Sequence, residues 1–260
     1  NTLGTLLYVE TFKSNGKRTN ERTGEETMSY DAVFVSDVHL GTTRCNVKKF
    51  SKFLKKIKTK KLVLVGDIVD VYCMEKYNTH WRKEHTECVH QILNLAKKGV
   101  EVVYIPGNHE GMLRRYCPFE HNNFKMVEEY VYKTKDGDKY LCTHGDQHSE
   151  FSSGSWKQFV FNWGYELITP LSLFLEKIFR FSLVYALKNT IRGRNYINQY
   201  ETDLANYCRQ KGGYKGIIVG HIHHANMRKI DGIEYMCCGD FVDTCSAIVE
   251  KNGFFQSVKY

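Results

Sequence analysis

At 260 residues and 30.3 kDa, the chain has room for one substantial domain with an insertion, and no Gly/Ser-rich linker divides it into two. Its 42% hydrophobic content suits a globular protein with a buried core. The formal net charge of +8 points to an anionic partner such as a phosphate ester, nucleic acid or anionic lipid, without choosing among them. Nine cysteines without a C-x-x-C pair argue for free thiols in a reducing compartment rather than a disulfide framework.

Residues 1–27 open with a short apolar run and then turn polar. No signal-peptide pattern or run of transmembrane length is visible, so this segment is expected to be a peripheral N-terminal extension of a cytoplasmic protein. A buried strand is predicted over 32–35, ending at Ser36-Asp37. A helix over 47–58 follows, with Phe50, Phe53, Leu54 and Ile57 at helical spacing and lysines on the other face. It reads as a solvated amphipathic helix, with an anion-binding patch as the alternative. A strand over 62–65 breaks at Gly66-Asp67, a helix covers 84–97, and a strand over 100–105 breaks at Pro106-Gly107. This rhythm is that of an α/β sheet.

Beyond residue 126 the pattern changes. Runs at 130–132 and 139–142 flank Lys135-Asp136-Gly137-Asp138 as a hairpin, and strands are predicted at 216–219, 233–237 and 246–249. Short neighbouring strands after an α/β half suggest a mixed sheet or a two-sheet sandwich. The segment 151–199 is rich in aromatics (Trp156, Phe159, Trp163, Phe174, Phe179) at near-helical spacing. It is too long for a simple loop and is read as an inserted helical cap. The core then comprises 28–150 and 200–260.

Five segments place metal-binding or phosphate-binding side chains just beyond an apolar strand. They are Ser36-Asp37-Val38-His39, Gly66-Asp67, Gly107-Asn108-His109-Glu110, Thr143-His144-Gly145-Asp146 and Gly220-His221-Ile222-His223. Such groups converge where strand carboxyl ends form a crevice. Carboxylates, imidazoles and one amide without thiolates suit two borderline or hard divalent ions. Manganese is the first candidate, and iron, zinc or magnesium also fit. Such a pair clamps a phosphoryl group and activates water for in-line displacement.

In this order the motifs D-x-H, G-D, G-N-H-E, H-G-D and G-H-x-H resemble the calcineurin-like metallophosphoesterase signature. The resemblance implies an α/β (α+β-like) two-sheet sandwich flanked by helices. It implies one metal on Asp37, His39, Asp67 and His223, and another on Asp67, Asn108, His144 and His221. It gives Asn108 and His109 catalytic roles, with His109 protonating or stabilising the leaving oxygen. Glu110 stands where Asp is common, and is expected to orient His109.

A narrower resemblance reaches from residue 31 through nearly all the rest of the chain. Asp37-Val38-His39-Leu40-Gly41, Gly220-His221-Ile222-His223-His224 and Cys238-Gly239-Asp240 look like the UDP-2,3-diacylglucosamine pyrophosphohydrolase-like group of lipid A biosynthesis. That group cleaves the diphosphate of a lipid-linked sugar nucleotide and uses a helical cap for the acyl chains. Some of its members carry Arg where His109 stands here. The first substrate expectation is therefore UDP-2,3-diacylglucosamine or a similar lipid-linked nucleotide. Arg192 and Arg194 read either as a clamp on a second phosphate or as a solvated basic loop, and the cap is expected to make peripheral membrane contact. Alternatives are a nucleotide pyrophosphatase, a cyclic-nucleotide phosphodiesterase or a non-catalytic scaffold of the same fold at membranes. No nucleic-acid-binding module is recognisable, and oligomeric state is not legible. Asp240 reads as a turn residue.

Overall fold

The computed structural model describes residues 10–12, 29–148 and 191–260. Its strands are β1 (Glu10–Phe12), β2 (Ser29–Val35), β3 (Lys58–Val65), β4 (Glu101–Ile105), β5 (Phe119–His121), β6 (Phe124–Met126), β7 (Tyr130–Lys133), β8 (Lys139–Cys142), β9 (Gly216–Val219), β10 (Asn226–Ile230), β11 (Ile233–Cys237), β12 (Ser246–Lys251) and β13 (Phe254–Lys259). The helices are α1 (Val47–Lys56), α2 (Val71–Tyr77), α3 (Lys83–Lys97) and α4 (Ile191–Lys211), with a 3-10 turn over Gly111–Tyr116.

The strands form two sheets. One is eight-stranded in the order β1-β13-β12-β2-β3-β4-β6-β5, and the other five-stranded in the order β10-β11-β9-β8-β7. β2, β3, β4 and β6 run parallel, and β8, β9 and β11 form the parallel part of the second sheet. Period-two alternation explains the layering. Ala32, Phe34, Val63, Val65, Val103 and Ile105 face Tyr132, Tyr140, Cys142, Ile218 and Met236 across the sandwich interior. The opposite sides of the same strands, with Val33, Val35, Leu62 and Leu64, pack on Phe50, Phe53 and Leu54 of α1 and Cys88 and Ile92 of α3. On the second sheet, Leu141, Ile217, Val219 and Tyr235 pack on Tyr200, Leu204 and Cys208 of α4. The result is helix, sheet, sheet, helix, the two-sheet α/β arrangement expected.

The α1 lysines are exposed and its aromatic residues buried, as an amphipathic surface helix requires. Asn46 caps its first turn by accepting from Lys49 N at 3.3 Å, and Lys55 and Lys56 complement the carbonyl end. The helix stops at Lys56 rather than at 58. Lys58 and Thr59 pair in register with Ser29 and Tyr30 of β2, so sheet pairing outweighs the helical continuation that the lysine spacing allowed. All nine cysteines are free, and seven of them are buried.

β1 pairs antiparallel with Phe255–Ser257 at the edge of the larger sheet. The rest of 1–27 and most of the 151–199 cap lie outside the described residues. Helix α4 runs unbroken across position 199. Among the described residues, no helix is long and apolar enough to cross a membrane.

Candidate metal centre

The loops that leave β2 and β3 are zipped together. Asp37 N donates to Gly66 O (3.0 Å), His39 N to Asp67 O (3.0 Å) and Leu40 N to Ile68 O (2.9 Å). This backbone ladder brings the D-x-H and G-D motifs side by side. Gly66 and Gly107 permit the packing around them. A Cβ on Gly66 would lie 2.2 Å from His144 Nδ1, and one on Gly107 would lie 2.1 Å from Asp67 Oδ1.

Asp37, His39 and His223 bring one donor atom each within 4.8 Å of one another, as do Asp67, His144 and His221. His39, Asp70 and His109 make a third such group. In the first group the Nε2 atoms of His39 and His223 face each other at 3.1 Å, and His223 Nε2 lies 3.3 Å from Asp37 Oδ1. In the second, His144 Nε2 is 3.3 Å from Asp67 Oδ2 and 3.3 Å from Asn108 Oδ1.

Several of these ligands are aimed by a second contact. His144 Nδ1 donates to Val65 O at 2.9 Å, which places its free nitrogen, Nε2, toward Asp67. Asp37 Oδ2 accepts from His221 N and Asp67 Oδ1 from His109 N, both at 2.9 Å. Asp37, His39, Asp67, His221 and His223 have φ between 50° and 74°. For non-glycine residues this is sparsely populated backbone costing on the order of 1 kcal/mol or more each. Five strained residues converge on one point.

This arrangement fits divalent metal. Asp37 Oδ1 is buried without a hydrogen-bond donor among the described residues, and imidazole Nε2 atoms and carboxylate oxygens crowd together around it. A divalent cation satisfies such a donor set.

Asp70 was not singled out from sequence. It is buried and accepts from His39 Nδ1 (2.8 Å), His109 Nδ1 (2.7 Å) and Cys73 N (2.8 Å), the last capping α2. Burial opposes its ionisation, but the hydrogen bonds from His109 and His39 hold its carboxyl well below the usual range. One carboxylate thus orients both rings, leaving each Nε2 facing the site. Its signal was the second acid in Gly66-Asp67-Ile68-Val69-Asp70.

Burial disfavours the His109 cation, yet the hydrogen bonds to Asp70 and Cys73 and the charge of Asp67 push it up to about 12. Its side chain is 23% exposed, and Tyr72 meets it edge-on at 5.7 Å. His221, by contrast, is lowered to about 4 by burial and by His144.

Glu110 does something other than orient His109. Its Oε1 accepts from Ile68 N (3.1 Å) and Tyr104 OH (2.9 Å), bracing the backbone next to Asp67. Burial and the charge of Asp67 raise it to about 8. Asp240 is the turn residue expected, accepting at Oδ1 from Val242 N (2.8 Å) and Thr244 N (3.0 Å). Its Oδ2 also lies 3.9 Å from His223 Nδ1. Arg194 is exposed at the start of α4; the side chain of Arg192 lies outside the described residues.

The calcineurin-like phosphoesterase family model matches residues 31–225. The chain is 27% identical over 144 residues to a UDP-2,3-diacylglucosamine hydrolase of Aliivibrio fischeri (strain MJ11), covering 50% of this chain and 58% of that protein. It is 25% identical over 243 residues to the protein of the same name from Histophilus somni (strain 129Pt), covering 85% and 97%. Among solved structures, an archaeal phosphodiesterase aligns with a TM-score of 0.45 at 11% identity over 87% of this chain and 98% of that one. A phosphopantetheinyl hydrolase from Mycobacterium tuberculosis aligns with a TM-score of 0.45 at 13% identity, over 82% and 90%. The chain belongs to the calcineurin-like phosphoesterase family.

Proposed function

We propose that this protein is a two-metal hydrolase of a phosphodiester or pyrophosphate bond, with UDP-2,3-diacylglucosamine or a similar lipid-linked nucleotide as its first substrate. The observation that carries the reading is the pair of donor groups Asp37/His39/His223 and Asp67/His144/His221, with the His109 imidazole 3.8 Å from Asp67. When bound, two divalent ions supply Lewis acidity to the phosphoryl oxygens and lower the pKa of the attacking water.

The chain's own residues do the rest. Asp67 lies 3.3 Å from His144 Nε2, and its backbone carbonyl accepts from His39 N of the other group at 3.0 Å; it is assigned as the ligand common to both ions. Asn108 completes the second set beside His144. His109 holds its proton at Nε2 because Asp70 engages Nδ1, and gives it to the departing oxygen. Manganese is the first choice of metal for these nitrogen and oxygen donors. The 151–199 segment is assigned to substrate selection and membrane contact, with Arg192 and Arg194 on a second phosphate. The lipid-linked substrate is supported by the two similar proteins of that name and by the aromatic content of 151–199.

The test is to load the protein with Mn²⁺ and offer it UDP-2,3-diacylglucosamine, simple nucleotide diphosphates, a cyclic nucleotide and a nucleic acid, then identify products. Release of UMP and a lipid monophosphate is expected. Two bound ions with no turnover of any ester would sink the catalytic reading, and exclusive turnover of water-soluble nucleotides the lipid one.

A further inference from the structure

The ligands around Asp67 come from both sheets. Asn108 follows β4 of the larger sheet, whereas His144 follows β8 of the smaller one. Among the described residues no strand ladder joins the two sheets, so the spacing between these loops depends on side chains that cross the gap. Arg114, on the 3-10 turn after Glu110, is one such side chain. Its Nη2 donates to Pro106 O (3.1 Å), two residues before Asn108, and to Asp146 Oδ1 (2.7 Å), two residues after His144. With the Gln147 amide turned oxygen-inward, Nη1 (2.5 Å) and Nε (3.2 Å) donate to that oxygen. The guanidinium is largely buried, at 19% side-chain exposure, and all three of its nitrogens are engaged.

We propose that Arg114 is a positioning residue for one metal ion, the one held by Asp67, Asn108, His144 and His221, because it clamps the 106–109 loop to the 144–147 loop. This rests on the two-metal reading above. A fork of fixed geometry suits the task, since it holds Pro106, Asp146 and Gln147 in one plane. Supporting groups of this kind change metal affinity without touching the metal. The other half of the site has a separate tie between the sheets, through His221 N to Asp37 Oδ2 and Ser36 Oγ to Gly239 O. Loss of Arg114 therefore acts on one ion and spares the other.

The experiment is a calorimetric titration of metal-free protein with Mn²⁺, in parallel for the wild type, Arg114→Ala, Arg114→Lys and Asp146→Asn. Two ions are expected on the wild type. Arg114→Ala is expected to keep one affinity unchanged and to weaken the other by about 10–100-fold. Asp146→Asn should weaken the same ion, and Arg114→Lys should fall between, because an ammonium reaches Asp146 but cannot serve all the acceptors. Two unchanged affinities in Arg114→Ala would overturn the clamp and leave the two-metal reading intact. Equal weakening of both ions with a lower melting temperature of the metal-free protein would reduce Arg114 to a folding role, again overturning it. If Arg114→Ala does not fold, Asp146→Asn and Arg114→Lys decide the matter by the same criterion. A wild type that binds fewer than two ions overturns both readings.

Discussion

Around His39 and His223 the supporting partners are carboxylates, whereas around His144 and Asp67 they are backbone groups. His39 Nδ1 is held by Asp70 and His223 Nδ1 approaches Asp240; His144 Nδ1 is held by Val65 O, and Asp67 by His109 N. Exposure does not separate the two groups: each has two buried members and one partly exposed member, His223 in the first and His221 in the second. Either kind of partner fixes the ring and raises its basicity, but a carboxylate also carries charge and can serve a second ring. Asp70 does so, and His39 thereby shares its partner with the proposed acid, whereas His144 does not.

The substitution expected to erase this difference is Asp67→Ala. It removes the group common to both halves, and both ions should be lost with turnover at background, read by metal analysis and hydrolysis of an aryl phosphodiester. Retention of both ions would remove Asp67 from its assigned place. Next is His109→Ala, expected to lower turnover by about 10²–10⁴-fold while two ions remain bound. Full activity would withdraw the proton donor but not the metal centre.

Asp70→Asn separates the halves. Turnover should fall by about 10–100-fold, and the ion on His39 should weaken more than the ion on His144. Asp70 raises the His109 pKa, so its neutralisation lowers that pKa. Activity that needs protonated His109 is lost as pH rises through it, so the alkaline limb of kcat/KM moves to lower pH. An unmoved limb would detach His109 from that limb.

The smallest effect is in proton release. Burial opposes protonation of His144, but Asp67 raises it to about 10, while His221 is lowered to about 4. At pH 7.5 the second half thus carries one proton on His144 that an incoming ion displaces, and affinity should fall about tenfold per pH unit on acidification. Calorimetry in two buffers of different ionisation enthalpy measures this, and no proton release would contradict it.

Much of the site was legible because each ligand sits directly after an apolar strand, and a strand end in a parallel sheet faces the crevice. The Val63–Val65 run before Gly66-Asp67 and the Ile217–Val219 run before Gly220-His221 carry that information locally. Asp70 was not legible, since the helix it caps, α2, was not predicted and its histidine partners lie 31 and 39 positions away. Arg114 was not legible either, because its partners lie 8 and 32 positions away. Strands β1, β5, β6, β10 and β13 and helix α2 were missed, since runs such as Phe124–Met126 gain strand geometry from pairing with β4 rather than from their own pattern.

By itself, the sequence determined the kinds of donor atoms, their order along the chain and the strands that carry them, because side-chain chemistry and period-two alternation are local properties. The tertiary structure decided which nitrogen of each imidazole faces inward and which carboxylate serves two rings. It also decided how residues 184 positions apart, His39 and His223, come to face each other. Those outcomes depend on the order of strands in two sheets and on the contacts between their loops, and no stretch of chain shorter than the whole core contains them.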